Sequence, residues 1–175
     1  MTVRETFSAG QPVVDRPHMP EGYLQAENLK GFVPWEHVQR RMAESLSYWI
    51  ATTRRDGRPH VTPIWGVWLD DTFYFDGSPE TTRGRNIAAN PNIAVHLESA
   101  DDVVIMEGQA YQIAAPSLDL RERLAQTYTA KYAAQNYAPG PETWEHGGLY
   151  IFHTRKVLAW TSFSNDPTRW VFAEG

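Results

Sequence analysis

The 175-residue chain contains no cysteine. This absence excludes disulfides, thiolate zinc sites, iron–sulfur clusters and thiol nucleophiles, and it favours a cytoplasmic protein. No stretch approaches the roughly 20 apolar residues that a membrane-spanning helix needs. The amino-terminal segment also lacks the basic start and apolar run of a signal peptide. We therefore expect a soluble protein with no targeting segment and no membrane contact.

Positive charge is also scarce, because 16 Lys and Arg residues stand against 21 Asp and Glu residues, a formal net charge of −5. This balance argues against a nucleic-acid partner, and any anion site must be local. The glycine-rich fingerprints of Rossmann and P-loop sites are absent too. No His-x-x-x-His pair or paired carboxylates occur, so we predict no metal site and name no catalytic residue.

Aromatic residues, by contrast, are abundant: seven Trp, eight Tyr and seven Phe. Such rings fill a core or line a pocket for a flat ligand, and a core with a dimer interface accounts for most of them. The length suits one domain. Residues 1–33 contain several Pro and Gly and no sustained period, which predicts an N-terminal arm on the surface. Residues 34–175 are expected to form the domain.

A helix and a hairpin are predicted where this domain begins. The stretch "PWEHVQRRMAES" places Trp35, Val38 and Met42 near one helical face. Two runs of β-branched and aromatic residues then flank Asp56-Gly57, a dipeptide typical of tight hairpin turns.

The second hairpin strand is expected to run without a break through residues 59–69. Val61, Pro63 and Trp65 alternate on one face, and both faces are largely apolar, so we expect each to be covered. Pro63 cannot donate to a ladder and Gly66 leaves backbone exposed, which indicates a sheet edge or a pocket wall.

Further strands are predicted at 72–76, 92–98, 103–114, 149–163 and 168–172. Gly108 marks a bulge, and the segment 149–163 is expected to be a strand pair broken near Arg155-Lys156. A helix over 117–135 starts at a Ser117 cap and places Leu118 and Leu124 near one face. Six or seven strands joined mainly by hairpins indicate a mainly β protein, an antiparallel barrel with helices over its openings.

The stretch "SPETTRGRNIAANP" carries the strongest indication of a binding site. A short helix should start at Thr81 or Thr82 and end before the Asn-Pro pair at 90–91. Its first amides and its dipole favour an anion, and Ser78, Thr81, Thr82 and Arg83 would complete a phosphate cradle. The alternative interpretation is an ordinary capped helix with solvated arginines.

Several blocks in fixed order resemble a known family: "YWIATTRRDGRPHVTPIWGVWLDDTFYF", "TTRGRNIAANPNIAVHLE", "VVIMEGQA", and the late "VLAW" and "TRWVF". The family is the flavin-binding split β-barrel group, which includes pyridoxamine 5'-phosphate oxidase and the actinobacterial enzymes that use the deazaflavin coenzyme F-420. The resemblance covers about residues 45 to 173. It implies a six- to seven-stranded antiparallel split β-barrel, FMN-binding-like, and a homodimer with each cofactor in a groove between two barrels.

The resemblance also implies a set of cofactor contacts. The ring would lie on the backbone of one strand, the phosphate would meet hydroxyls and a basic residue, and further contacts would come from the helix and the late strands. These positions are Val61, Thr62, Pro63, Ile64 and Trp65; Ser78, Thr81, Thr82 and Arg83; and Asn86, Trp160 and Arg169. Arg83 stands where many relatives have Lys. The substrate motifs of vitamin B6 oxidation are not clearly present, which argues against that reaction.

The choice between F-420 and FMN depends on basic residues beyond the phosphate site. F-420 carries a phosphodiester and a polyglutamate tail, so it needs a longer positive strip. Arg54, Arg55 and Arg58 beside the hairpin turn, continued by Arg83 and Arg85, favour F-420, although an exposed hairpin tip also accommodates charge. The expected function is hydride transfer between F-420 and a small unsaturated or quinone-like substrate, with FMN as the alternative cofactor.

Two other classes of function stay open. Barrels of this shape also hold haem or another tetrapyrrole, or store a cofactor without turnover, and His60 or His96 would then be the axial ligand. A dimeric domain whose pocket has degenerated would bind none of these ligands.

Overall fold

Nine strands and three α-helices make up the described part of the chain, residues 11–24 and 26–173 of a computed structural model. The strands are β1 (Val13–Asp15), β2 (Tyr48–Thr53), β3 (Pro59–Ile64), β4 (Gly66–Leu69), β5 (Thr72–Asp76), β6 (Asn92–His96), β7 (Val103–Ile113), β8 (Leu149–Trp160) and β9 (Thr168–Val171). The helices are α1 (Trp35–Glu44), α2 (Thr82–Ala89) and α3 (Leu118–Tyr132), with 3-10 turns at Ala26–Asn28, Ala133–Gln135 and Pro141–Trp144. The predicted mainly β class with flanking helices is confirmed, although six or seven strands is too low a count.

The antiparallel sheet divides at β8. One edge of β8 bonds to β7, while its other edge bonds first to β5 and then to β9. The main path runs β1-β9-β8-β7-β6-β2-β3, and β4 pairs with β5. Because one long strand serves two partners on the same edge, the barrel is split, as the resemblance implied.

The predicted break near Arg155-Lys156 is wrong, because β8 is continuous there. Glu107 pairs with Lys156 and Gly108 pairs with Thr154, so Arg155 is an extra residue on β8. Such a bulge strengthens the local twist, which lets the two halves of β8 face different partners. The glycine is required, since a Cβ at Gly108 would lie 2.1 Å from the His153 carbonyl oxygen.

The expected strand 59–69 is two strands. It breaks at Trp65, where the chain leaves β2 and joins β5. A Cβ at Gly66 would lie 2.5 Å from the Phe73 ring, so only glycine permits this approach. The face predicted to be covered is open within the chain: Val61 is 51% exposed and Trp65 is 39% exposed. The predicted sheet edge is confirmed, because β3 ends the strand path.

Side chains of the helices and strands form two buried clusters. The barrel interior holds Ile50, Val95, Met106 and Phe152, and Val38 and Met42 of α1 pack against it as predicted. The second cluster lies under α3 and takes every fourth residue of that helix: Leu120, Leu124, Tyr128 and Tyr132. Each such side chain contributes about 2 to 3 kcal/mol when fully buried. Ser117 caps α3 as predicted, but Leu118 is 56% exposed because the buried face begins at Leu120.

The arm contributes a strand of its own. β1 pairs with β9, with Asp15 opposite Arg169. Arg16 donates to the Pro167 carbonyl at 2.8 Å, and its guanidinium lies 4.5 Å from the centre of the Phe32 ring. Residues 1–10 of the predicted arm lie outside the described residues. The predicted boundary at residues 33 and 34 stays a prediction.

Candidate functional site

The loop before α2 is ordered by its own hydroxyl groups. Thr81 is the N-cap, and its Oγ1 accepts the Gly84 N–H at 3.0 Å and donates to the Ser78 carbonyl at 2.8 Å. The Ser78 hydroxyl oxygen accepts the Glu80 N–H at 3.1 Å. Gly84 permits the close packing, because a Cβ there would lie 2.6 Å from the Pro79 carbonyl oxygen. The helix limits and the cap are as predicted.

Arg83 folds back over this loop. Its Nη2 donates to the Asp76 carbonyl at 3.1 Å, and its guanidinium lies 5.8 Å from the centre of the Phe75 ring. Burial lowers the pKa of Arg83 from its ordinary value. The N–H groups of Thr82 and Arg83 begin the helix, where no earlier turn offers an acceptor. The helix start therefore combines two donor amides, the Ser78 and Thr82 hydroxyls and one partly desolvated cation, which suits an anion.

Asn86 fixes α2 to the barrel. It is 6% exposed, and its Nδ2 donates to the Thr52 hydroxyl of β2 at 2.9 Å. Thr52 pairs across the hairpin with His60, the second residue of β3. The start of α2 and the predicted cofactor strand are thus held to the same hairpin. The Asn86 side chain points into the barrel in this arrangement.

The β3 segment divides its side chains between two faces. Val61, Pro63 and Trp65 are exposed, Thr62 is half-buried and Ile64 is buried. Within the sheet β3 pairs with β2, and its other edge has no strand partner among residues 11–24 and 26–173. An open edge with uncovered apolar side chains offers both backbone hydrogen-bonding groups and a flat surface.

An aromatic cluster beside Trp65 was missed from the sequence. The Trp65 ring stacks on Tyr132 at 4.8 Å and meets Tyr137 edge-on at 5.5 Å. The Tyr132 hydroxyl donates to the Gly66 carbonyl at 2.8 Å and accepts the Gly66 N–H at 3.0 Å, so it fixes the break between β3 and β4. The four-residue spacing of Tyr128 and Tyr132 could have indicated this face of α3.

Lys131 lies at the edge of the same cluster and was also missed. Its Nζ donates to the Tyr48 hydroxyl and lies 4.8 Å from the centre of that ring. Burial lowers the pKa of Lys131 to about 7. The sequence alone could not have indicated Lys131, because a single lysine in a helix is usually exposed to solvent and no neighbouring pattern marks this one as buried.

A family model described as pyridoxamine 5'-phosphate oxidase matches residues 34–146. The chain belongs to this family. The match spans α1, the hairpin, α2 and α3, and therefore contains the cradle and the aromatic cluster. The sequence matches no curated protein.

Solved structures share the fold of this pyridoxamine 5'-phosphate oxidase family member. A conserved hypothetical protein from Mycobacterium tuberculosis has 16% identity and a TM-score of 0.62, covering 78% of this chain and 88% of its own. An F-420 reductase has 19% identity and a TM-score of 0.53, and the match covers 79% of this chain and 98% of the reductase. A heme-binding protein from Mycobacterium smegmatis has 16% identity and a TM-score of 0.55, covering 74% of this chain but 55% of its own.

The remaining predicted contacts of this family member lie away from the cradle. Trp160 ends β8 and packs edge-on against Phe163 at 5.3 Å. Arg169 of β9 donates from Nε and Nη2 to the two carboxylate oxygens of Asp15, at 2.7 and 2.6 Å. The hydrogen bonds from Arg169 lower the pKa of Asp15. Asp76, beside the cradle, pairs with Leu149 at the opposite end of β8 from Trp160.

The predicted positive strip begins at an exposed hairpin tip. Arg55 is exposed there, and Arg58 donates to the Asp56 carboxylate at 2.8 and 3.0 Å. Arg85, near the cradle, donates to the Glu80 carbonyl. The strip as a binding feature stays a prediction.

A groove of about 680 Å³ crosses the outer face of the sheet. Its floor includes one row of register partners: Ala51, Ala94, Glu107, Lys156 and Val171. None of the predicted cofactor contacts lines it. Across residues 11–24 and 26–173, no helix is long and apolar enough to span a bilayer, and no group of three His, Asp or Glu side chains is arranged to hold a metal ion.

Proposed function

We propose that the chain is an oxidoreductase that transfers hydride between coenzyme F-420 and a small unsaturated or quinone-like substrate, with FMN as the alternative cofactor. The observation that carries the proposal is Arg83, whose guanidinium folds over the loop before α2 and donates to the Asp76 carbonyl next to the hydroxyl-capped start of that helix. Family membership and the likeness to an F-420 reductase support it.

The residues at this corner fit the anionic part of either cofactor. Arg83 donates to a backbone carbonyl, so its charge is not neutralised by a carboxylate through that bond. A Cβ at Gly77 would lie 2.3 Å from Arg83 Nη2, so glycine keeps room for the guanidinium over the loop. Ser78, Thr81, Thr82 and Arg83 would hold the phosphate, and the backbone of Val61 to Trp65 would hold the rings.

The bound cofactor would supply the hydride chemistry, and the chain would supply binding and orientation. The α2 dipole and Arg83 favour the phosphate end. The tie from Asn86 to Thr52 keeps that end at a fixed distance from β3. Trp160 and Arg169 would complete the site from a second subunit of a homodimer.

Arg55 is the residue that favours F-420 over FMN. It is exposed at the tip of the hairpin that carries β3, and it could reach a negatively charged tail beyond the first phosphate. A charge pair in solvent contributes little, so we expect Arg55 to matter through the summed field of several arginines.

Titration of the purified protein with F-420 and FMN, side by side, tests the proposal. We expect Arg83→Glu to weaken both cofactors about tenfold or more, since it removes one charge-assisted contact and adds repulsion. Arg55→Glu should weaken F-420 more than FMN, and the loss should shrink at high salt. Arg40→Glu, at an exposed position of α1, is the matched charge-reversal control.

Unchanged affinity for both cofactors in Arg83→Glu and Arg55→Glu would defeat the assignment. Equal losses for the two cofactors in Arg55→Glu would favour FMN.

A haem-binding protein is the second candidate, because His96 has the geometry of an oriented ligand. Its Nδ1 lies 2.8 Å from the Leu97 carbonyl, an acceptor, so Nδ1 carries the proton and Nε2 is left as the ligand atom. The likeness to a heme-binding protein supports this candidate. A Soret band that forms on haem addition and disappears in His96→Ala would establish it, whereas the absence of any Soret band would reject it.

A further inference from the structure

Trp65 is a rigid aromatic surface beside the cradle. It is 39% exposed, yet its ring is held by the nearly parallel Tyr132 ring, at an interplanar angle of 14°, and by the edge of Tyr137. Tyr132 is itself fixed by the hydrogen bonds of its hydroxyl to the Gly66 N–H and the Gly66 carbonyl. A ring that is exposed but already immobilised binds a flat ligand without losing side-chain entropy.

A hydrogen-bond acceptor lies at the edge of this surface. The Tyr137 hydroxyl donates its proton to Asp76 Oδ2 at 2.8 Å. Burial, followed by the Asp76 charge, raises the pKa of Tyr137, so the hydroxyl stays protonated at neutral pH. Because that proton is engaged, the phenolic oxygen offers lone pairs, and a ligand here must bring the donor.

The charge of Asp76 restricts the ligand further. The Asp76 carbonyl accepts from Arg83, while its carboxylate faces Tyr137. Tyr128 underlies the same corner: it is fully buried, its ring lies 5.9 Å from Tyr137, and its hydroxyl has no hydrogen-bond partner among the described residues. A buried hydroxyl without a hydrogen-bond partner lowers the stability of the folded state. Such unpaired groups are found at functional sites.

We propose that Trp65, Tyr137 and Asp76 form a substrate subsite for an uncharged planar aromatic ring that carries a hydroxyl or amine hydrogen-bond donor. The inference rests on the proposed function, since it names the chemical class of the second reactant. That reactant would be the hydroquinone form of a quinone/hydroquinone couple. Arg83, on one side of Asp76, favours the anionic cofactor, whereas the Asp76 carboxylate repels anions from the Trp65 side. The two reactants are thereby sorted by charge.

Calorimetric titration of the full chain with 2-naphthol and 2-methoxynaphthalene tests the subsite, because only the first probe can donate to Tyr137. We expect 2-naphthol to bind about fivefold more tightly, the size of one neutral hydrogen bond. Tyr137→Phe, which keeps the ring contacts, should bring the ratio to about one. Trp65→Leu should weaken both probes about fivefold and leave the ratio unchanged, because it removes stacking alone.

Tyr111→Phe is the matched control. Tyr111 is a half-buried tyrosine of β7 whose hydroxyl also donates to a side-chain oxygen, Gln109 Oε1 at 2.6 Å, and its removal should leave the ratio intact. Equal binding of the two probes by the unaltered chain, or a ratio that survives Tyr137→Phe, overturns the subsite. If the ratio behaves as expected but neither F-420 nor FMN binds, the redox proposal fails and the subsite stands.

Discussion

Gly77 determines where the charge of Arg83 lies. Its φ of +151° is disfavoured for other residues, and a Cβ would lie 2.3 Å from the guanidinium. We therefore predict that Gly77→Ala displaces Arg83, weakens F-420 and FMN binding about tenfold, and lowers stability by about 1 kcal/mol. Cofactor titration and thermal unfolding measure the two effects. Gly31→Ala is the control, because a Cβ there meets nothing within 4 Å; full cofactor affinity in Gly77→Ala would contradict the prediction.

Residue-level predictions succeeded where the physics is local. The Thr81 cap follows from a hydroxyl placed three residues before the N–H it accepts, and Asn90-Pro91 sets the helix end. The partner of Arg169 could not be predicted, because Asp15 is 154 residues away in the chain. The hydrogen bond between Asp76 and Tyr137 could not be predicted for the same reason, because the two residues are 61 positions apart in the chain.

At the scale of elements, β1 is attached by backbone pairing with β9, by the contacts of Arg16 and by the ion pair between Asp15 and Arg169. Val13 and Val14 are 66% and 40% exposed, so little apolar burial holds the strand. We predict that Asp15→Asn speeds amide exchange across β1 and β9 severalfold while the barrel core keeps its protection. Asp101→Asn, at an exposed acid in a turn, is the control. Equal exchange in Asp15→Asn and the unaltered chain would show that backbone pairing alone suffices.

The attachment of β1 to β9 should also depend on pH. Arg169 holds the pKa of Asp15 below its ordinary value of 3.8. A carboxyl group whose pKa is lower in the folded state stabilises that state fully when the pH is above its pKa in the unfolded chain. This stabilisation is lost as the pH falls through the pKa of the folded state. We therefore expect β1 protection to be constant near neutrality and to fall below about pH 4, with no such fall in Asp15→Asn.

The presence of most strands and helices could be predicted from the hydrophobic periodicity and the turn residues. Which strands pair with each other could not. The alternation of residues 59–69 is the same whether one strand or two are present, and the break at Trp65 is set by the Tyr132 hydroxyl and the Phe73 ring. Likewise, the extra Arg155 on β8 is defined by its register with β7. Such contacts link distant parts of the chain, so no local pattern contains them.

For the whole molecule, the proposed homodimer would have to bring the two ends of β8 together at one cofactor site. The cradle lies by Leu149, and Trp160 ends the same strand. About 35 Å of extended chain therefore separates them, at about 3.3 Å per residue. A cofactor that met both within one chain would have to follow the strand from end to end. In a two-fold dimer, by contrast, the cradle of one protomer could meet the Trp160 of its partner.

Mixing two defective variants tests this arrangement. We predict that Arg83→Glu and Trp160→Ala each lose most cofactor affinity, and that subunit exchange between them restores about one quarter of the sites. The recovery is expected because half of the random dimers are mixed and each mixed dimer has one intact site. Light scattering should give the mass of a dimer, and cofactor titration should count the restored sites. If both variants bind poorly and mixing restores nothing, the cradle and Trp160 do not meet across an interface. The two variants would then have to be explained within one protomer, despite the length of β8 between them.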